Sequence, residues 1–230
     1  VKMVYDRFQS DVVFTPYFKD GDQVKKGDVI LKIEATYPTL LRGERLSLNL
    51  FQRMCGIATE TAKYVKELKG TSTELLDTRK TAPGLRVLDK LAVKHGGGTN
   101  HRMGLYDMAM IKGNPIKMAG GITKAVEQVR ARIAEGIKIE VETTNLDEVK
   151  EAIAAGADII MLDNMGNEAM AEAVATIKAA DKGIKTEASG NMSIPRLIEV
   201  AATGVDYISV GALTHTVKAM DISMNIQVEK

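Results

Sequence analysis

A single cysteine, Cys55, stands in a chain of 230 residues. No intrachain disulfide can form, and no cysteine cluster can hold a metal. Such usage fits a reducing compartment, so a cytoplasmic protein is expected. Long hydrophobic runs are also missing. Nothing approaches the roughly 18–20 apolar residues of a membrane span, and no signal-peptide pattern is visible. The chain starts at Val1 rather than Met, which points to upstream residues removed or left out. Charge of one sign is not in excess: 31 basic and 30 acidic residues give a net charge of +1. A globally basic nucleic-acid binder is thereby excluded, and a local basic pocket is not. No GxGxxG run follows an apolar stretch, which removes the usual dinucleotide fingerprint.

What is present is a 45% hydrophobic composition, enough for a sizeable core. Up to about Arg42 the pattern is strand and turn, with Asp20-Gly21 and Lys26-Gly27 as turns before an apolar strand. From Glu44 to Leu68, apolar residues recur at three- and four-residue steps, and Gly70 follows as a stop. Beyond it, short apolar runs alternate with amphipathic segments. Strands are expected at Glu74–Asp77, Met108–Lys112, Lys138–Glu142, Asp158–Asp163, Ile184–Ser189 and Tyr207–Val210. Helices are expected at Gly84–Lys94, Thr123–Glu135, Asn145–Ala155, Glu168–Ala180, Ile194–Ala202 and from Val217 onward. Short, wholly apolar strands suit a parallel sheet covered on both faces, and the alternation argues for an α/β fold. The compact β-α repeat of the second half favours a barrel over an open sheet.

Polar residues fall at the C-terminal ends of these strands: Arg79 and Lys80, Lys112, Glu142, Asp163, Ser189-Gly190-Asn191 and Gly211. In a (β/α) barrel that rim is the mouth where loops converge. Arg79, Lys80, Arg86, Arg102 and Lys112 could surround an anion, the arginine forks meeting planar carboxylates or phosphates. His101 adds a donor whose charge follows its partner. Glu142 and Asp163 suit a divalent cation or sugar hydroxyls. Small residues at Ser189-Gly190 and Gly211 let backbone N–H groups approach a phosphate. The mouth therefore reads as bipolar, for a polyanionic substrate that bears phosphate. Other features read as structural. Gly96-Gly97-Gly98 is a helix stop and loop, Cys55 a buried thiol, and His95 a helix cap. Met103, Met108, Met110, Met161, Met165 and Met170 read as core filling. His215, after the Gly211 loop, reads equally well as phosphate contact or structure.

Seven blocks, in order, carry a resemblance: "ERLSLNLFQRMCGIAT" (44–59), "DTRKTAPGLR" (77–86), "GGGTNHRMGLYDMAMIK" (96–112), "IEVET" (139–143), "IIMLDNM" (159–165), "EASGNM" (187–192) and "VDYISVGALTH" (205–215). From about Val12 onward the chain resembles the quinolinate phosphoribosyltransferase family. The resemblance implies an incomplete (β/α) barrel with a small N-terminal α/β sandwich domain. Its expected boundaries are residues 1–46 for the sandwich, 47–213 for the barrel, and 214–230 for a segment returning to the first domain. The implied substrates are quinolinate and phosphoribosyl pyrophosphate, with Mg²⁺ as cofactor. By matching motifs, Arg79, His101, Arg102 and Lys112 would hold the quinolinate carboxylates. Lys80 would reach the phosphoribosyl donor and act in catalysis. Glu142 and Asp163 would bind ribose hydroxyls and the metal, and would also be catalytic. Ser189, Gly190, Gly211 and His215 would line the 5′-phosphate site. Arg45 matches an arginine that enters the neighbouring subunit's site, so a homodimer with shared sites, or a higher oligomer, is implied. Neither nucleic acid nor membrane is an expected partner.

Two departures from the family pattern stand out. The family reads Lys-Asp-Asn-His where this chain has Lys112-Gly113-Asn114-Pro115, losing a carboxylate and an imidazole beside the site. Roughly fifty residues that normally precede "VKMVYDRF" are absent, which would expose apolar surface and open a strand edge. Alternatives are a paralogue acting on another acidic heterocycle, of the type found beside molybdate-uptake systems, and a catalytically impaired scaffold. "DGDQVKKGDVILKIEA" is similar to lipoyl and biotinyl carriers, but Ile33 to Leu41 lacks the lysine a carrier needs.

Overall fold

The computed structural model describes residues 1–180 and 183–227. The chain begins with a short helix, α1 (Lys2–Tyr5), and an antiparallel pair, β1 (Val13–Pro16) and β2 (Leu31–Glu34), which bond only to each other. A 31-residue helix, α2 (Tyr37–Glu67), follows. It starts earlier than the periodicity from Glu44 suggested, because Pro38 occupies its first turn, where a missing N–H costs nothing. Gly43 lets α2 approach the Tyr5 ring; a Cβ there would lie 2.4 Å from a ring carbon.

The remainder alternates strand and helix: β3 (Glu74–Leu76), α3 (Arg86–His95), β4 (Ala109–Ile111), α4 (Gly113–Ala119), α5 (Ile122–Arg130), β5 (Ile139–Thr143), α6 (Leu146–Ala154), β6 (Ile159–Asp163), α7 (Asn167–Ala180), β7 (Lys185–Ser189), α8 (Ile194–Ala202), β8 (Tyr207–Ser209) and α9 (Ala212–His215). The six strands of the second unit are all parallel, in the order β3-β8-β7-β6-β5-β4. This is the expected α/β architecture, a barrel-like sheet left open between β3 and β4. Each expected strand of this unit is present, within two residues at either end.

Alternation along the strands builds the core. Ile139 and Val141 face one way on β5 and are fully buried, as are Ile160 and Leu162 on β6 and Ile208 on β8. Each such side chain contributes about 1.5–3 kcal/mol. Asn145 caps α6 by accepting from the amides of Asp147 and Glu148, whose carboxylates also suit the helix N-terminus. Helix α2 packs on α1 near its start, and on α3, α8 and α9 along the barrel.

One expectation fails. No helix begins at Val217: residues 217–227 are irregular and run along α2. Met220 donates its amide to the Gln52 carbonyl, Gln52 donates back to the Ile222 carbonyl at 2.6 Å, and Tyr5 reaches Met224. Gly56 permits that contact, since a Cβ there would sit 2.2 Å from the Lys218 carbonyl oxygen. Conversely, Gly113 to Ala119 is helical although Gly and Pro punctuate it. Pro115 lies in the first turn, where helices tolerate it. Among the described residues no helix is long and apolar enough to cross a membrane.

Candidate active site

Because all six strands run the same way, their C-terminal ends share one edge. The register sets Asp163 beside Ser189 and Leu76 beside Ser209, with Glu142 one strand from Met161. The structure therefore brings together Arg79, Lys80, Lys112, Glu142, Asp163, Ser189, Gly190 and Gly211 at one mouth.

The loop after β3 is held from several sides. Asp77, at the strand end, is buried and bonds Lys90, the Asn100 amide group and the His101 backbone N–H. Lys90 also donates to the His101 carbonyl at 2.9 Å. Burial pushes the Asp77 pKa up and the Lys90 pKa down, against their mutual attraction. Losing one member of such a pair would leave an uncompensated buried charge, at a cost of about 3–5 kcal/mol. Arg53 makes a bidentate pair with Asp89 at 2.8 Å, and Asp89 accepts from the Ala82 amide. Thr214 donates to the Lys80 carbonyl at 2.9 Å.

Arg86 corrects a sequence expectation. Its guanidinium donates to the Thr81 hydroxyl and to the carbonyls of Met103 and Arg79. It stitches two loops together and is not a free anion ligand. Arg102, by contrast, spends one nitrogen on the Met108 carbonyl. Burial, and then the like charge of Arg79, push its pKa down. Lys80 points elsewhere: a Cβ on Gly211 would meet its Cδ at 3.3 Å and the His215 ring at 3.1 Å. Lys80, Gly211 and His215 thus form one corner, and Arg79 with Arg102 another.

Lys112 and Glu142 are paired across β4 and β5 at 2.6 Å. They line an open cavity of about 430 Å³ with Met110, Gly113, Asn114 and Pro115. Asp163 accepts from the Asn164 side chain at 2.7 Å. Asn164 has a left-handed backbone (φ 54) and also accepts from Asn191. It fills the space above Gly190, where any Cβ would collide at 2.2 Å. Arg196 ties the Gly190 and Met165 carbonyls together. The Asp163 and Ser189 loops are therefore one braced unit. Arg45 is the exception among the expected residues. Its side chain is 72% exposed on α2, with its guanidinium 3.7 Å from the Glu44 carboxylate.

Sequence reasoning missed Glu140 and Glu187. Both are wholly buried beneath the mouth, and the His101 Nε2 stands 3.1 Å from a carboxylate oxygen of each. Burial draws the His101 pKa down and the two carboxylates raise it; Nδ1 accepts the Arg102 backbone N–H, so the ring proton sits on Nε2, facing them. Burial, with the Glu187 charge, raises Glu140 to about 7. The sequence carried no usable signal: Glu140 alternates with Glu142 as on an exposed face, and Glu187 follows Lys185 and Thr186. Cys55 is half-buried rather than the buried thiol expected, and burial pushes its thiol up to about 11.

Fold and mouth together define a (β/α)-barrel enzyme for a small polyanion. The comparisons narrow this. Residues 57–225 match the model of the quinolinate phosphoribosyl transferase C-terminal domain, and residues 1–55 match that of its N-terminal domain. The chain belongs to the quinolinate phosphoribosyltransferase family. It is 47% identical over 207 residues to a probable nicotinate-nucleotide pyrophosphorylase [carboxylating] of Synechocystis, covering 90% of this chain and 70% of that protein. A Bacillus subtilis relative of the same description is 47% identical over 208 residues, covering 90% and 71%. Among solved structures, NadC from Streptococcus pyogenes superposes with a TM-score of 0.91 at 40% identity, covering 97% of this chain and 79% of that one.

Proposed function

We propose that this chain is a quinolinate phosphoribosyltransferase of NAD biosynthesis. It joins quinolinate to 5-phosphoribosyl 1-pyrophosphate and releases nicotinate mononucleotide, pyrophosphate and carbon dioxide. Curated relatives at 47% identity over most of the chain support the activity. The geometric observation that carries it is the packing of Lys80 against Gly211 and His215, while its neighbour Arg79 acts as a like charge on Arg102.

The reading assigns roles on that division. Arg79, Arg102 and Lys112 bind the two quinolinate carboxylates, with His101 beneath them. Ser189, Gly190, Gly211 and His215 take the 5′-phosphate. Lys80 carries the charge that develops as pyrophosphate leaves the anomeric carbon. Glu142 and Asp163 face the ribose, where their negative charge favours the oxocarbenium-like centre. The quinolinate nitrogen then forms the new bond. Once quaternary, its positive charge stabilises the electron pair left on the adjacent ring carbon as that carboxylate departs as carbon dioxide, and this carbon then takes a proton. Glu142 and Asp163 offer oxygen donors on neighbouring strands, the set Mg²⁺ prefers, and would hold an ion that neutralises pyrophosphate charge when bound. Lys112 is already paired with Glu142, so an incoming carboxylate must exchange for it.

The same proposal includes a homodimer, or a larger assembly, in which Arg45 of each chain enters its neighbour's mouth. Arg45 is exposed on α2 among the exposed apolar side chains of Tyr37, Leu41 and Leu46, and this supports the interface. A cytoplasmic setting agrees with one unpaired cysteine. The test is substrate charge. Nicotinate lacks one carboxylate and leaves a desolvated cation unpaired, at a cost of about 2–5 kcal/mol, or roughly 30- to several-thousand-fold in kcat/KM. Nicotinate turning over within about threefold of quinolinate would refute the reading.

A further inference from the structure

His101, Glu140 and Glu187 form a buried cluster at the foot of the mouth. Glu140 lies on β5, two residues before Glu142 and so on the same face, one layer deeper. Glu187 lies on β7, with β6 between the two. His101 comes from the loop that leads into Arg102 and is only 5% exposed at its side chain. Its Nε2 is 3.1 Å from an oxygen of each carboxylate, shared between them and aligned with neither. Its Nδ1 accepts the Arg102 backbone N–H at 2.7 Å. The imidazole is thus fixed from both ends, and its far end sets where Arg102 leaves the loop.

Charge gives the cluster a second effect. Arg79 and Arg102 are close enough to repel, in a half-buried setting that weakens solvent screening. The Glu187 carboxylate, and Glu140 when ionised, add negative charge on the Arg102 side of the cluster. Both glutamates act on Arg102 as counter-charges, yet among the described residues neither forms an ion pair with it. Apart from the nitrogen bonded to the Met108 carbonyl, the Arg102 guanidinium is thus left to meet an acid.

We propose that Glu140 and Glu187 are positioning residues for the acid-binding corner. They orient Arg102 through His101, and they add counter-charge near it without pairing with its guanidinium. The inference rests on the quinolinate reading of that corner. It predicts that the glutamates govern affinity for the dicarboxylic acid and leave the phosphoribosyl side alone. A spacing of 3.1 Å also suits two ligands on one metal ion, and the three side chains could converge on a cation; a resident metal is the competing outcome.

The experiment compares the intact chain with Glu140→Gln and Glu187→Gln, which keep shape and remove charge, and with His101→Gln as a further variant. Quinolinate dissociation constants are measured by titration without the second substrate. KM for quinolinate and for phosphoribosyl pyrophosphate are measured separately, with thermal midpoints and elemental analysis alongside. Expected are a tenfold or greater weakening of quinolinate binding in both glutamate variants, a phosphoribosyl pyrophosphate KM within about threefold of the parent, and no stoichiometric metal. Parent-like quinolinate affinity in a folded Gln variant would overturn the inference, as would equal losses for both substrates, or one tightly bound metal per chain. If neither glutamate variant folds, His101→Gln decides by the same split. A parent chain that binds no quinolinate would instead defeat the functional reading, so the two failures are distinguishable.

Discussion

Arg79 and Lys80 are neighbours in the chain and part company in space. Arg79 shares a half-buried corner with Arg102, where a planar fork can meet a carboxylate. Lys80 lies against the β8-α9 turn, where a compact charge can follow a departing pyrophosphate. Loss of a transition-state donor costs about 3–4 kcal/mol, or 10²–10³ in kcat, whereas loss of a ground-state clamp appears mainly in KM. Lys80→Ala should therefore lower kcat by about that factor with quinolinate binding nearly intact. Arg79→Ala should weaken quinolinate binding first. Titration and kcat measured separately check this, and the opposite split would reverse the assignment. At this scale the sequence was informative wherever an ionisable residue ended a strand: Lys112, Glu142 and Asp163 all reach the mouth. It was silent on Glu140 and Glu187, because nothing in a one-dimensional pattern tells a buried carboxylate with a histidine partner from one facing solvent. It also misread Arg86, whose three bonds to loop oxygens depend on a Met103 loop folded back beside it.

The elements of the barrel were legible because its physics is periodic. Strands such as "IIML" and helices such as "LDEVKEAIA" announce themselves through burial on both faces or on one stripe. The failures fall where tertiary contact overrides local pattern. Residues 217–227 alternate apolar and polar side chains as well as they suit a helix, and α2 decides the matter through Gln52 and Gly56. In α4, Gly113 and Pro115 argue against a helix. Yet both sit in its first turn, where a breaker costs least, and Lys112 remains at its N-terminal boundary in extended conformation. The substitution of glycine at position 113 is therefore compatible with the element that carries Lys112, and a Cβ added there would meet nothing within 4 Å.

At the scale of the whole molecule, one chain builds a mouth but leaves Arg45 outside it. If Arg45 crosses to a second chain, Arg45→Ala should raise the quinolinate KM strongly and leave the barrel folded. Mixed with Arg79→Ala protein, it should regain activity, since one hybrid site keeps both arginines. No recovery, once subunit exchange is demonstrated, would sink the shared site. The central claim is the reaction itself, and its most direct test is stoichiometry. The protein is incubated with Mg²⁺, phosphoribosyl pyrophosphate and quinolinate labelled in the carboxylate next to the ring nitrogen. Labelled carbon dioxide, pyrophosphate and nicotinate mononucleotide are then counted. The account predicts the three in equal amounts, with label only in the gas. Label retained in a nucleotide, or no nucleotide formed, would contradict it.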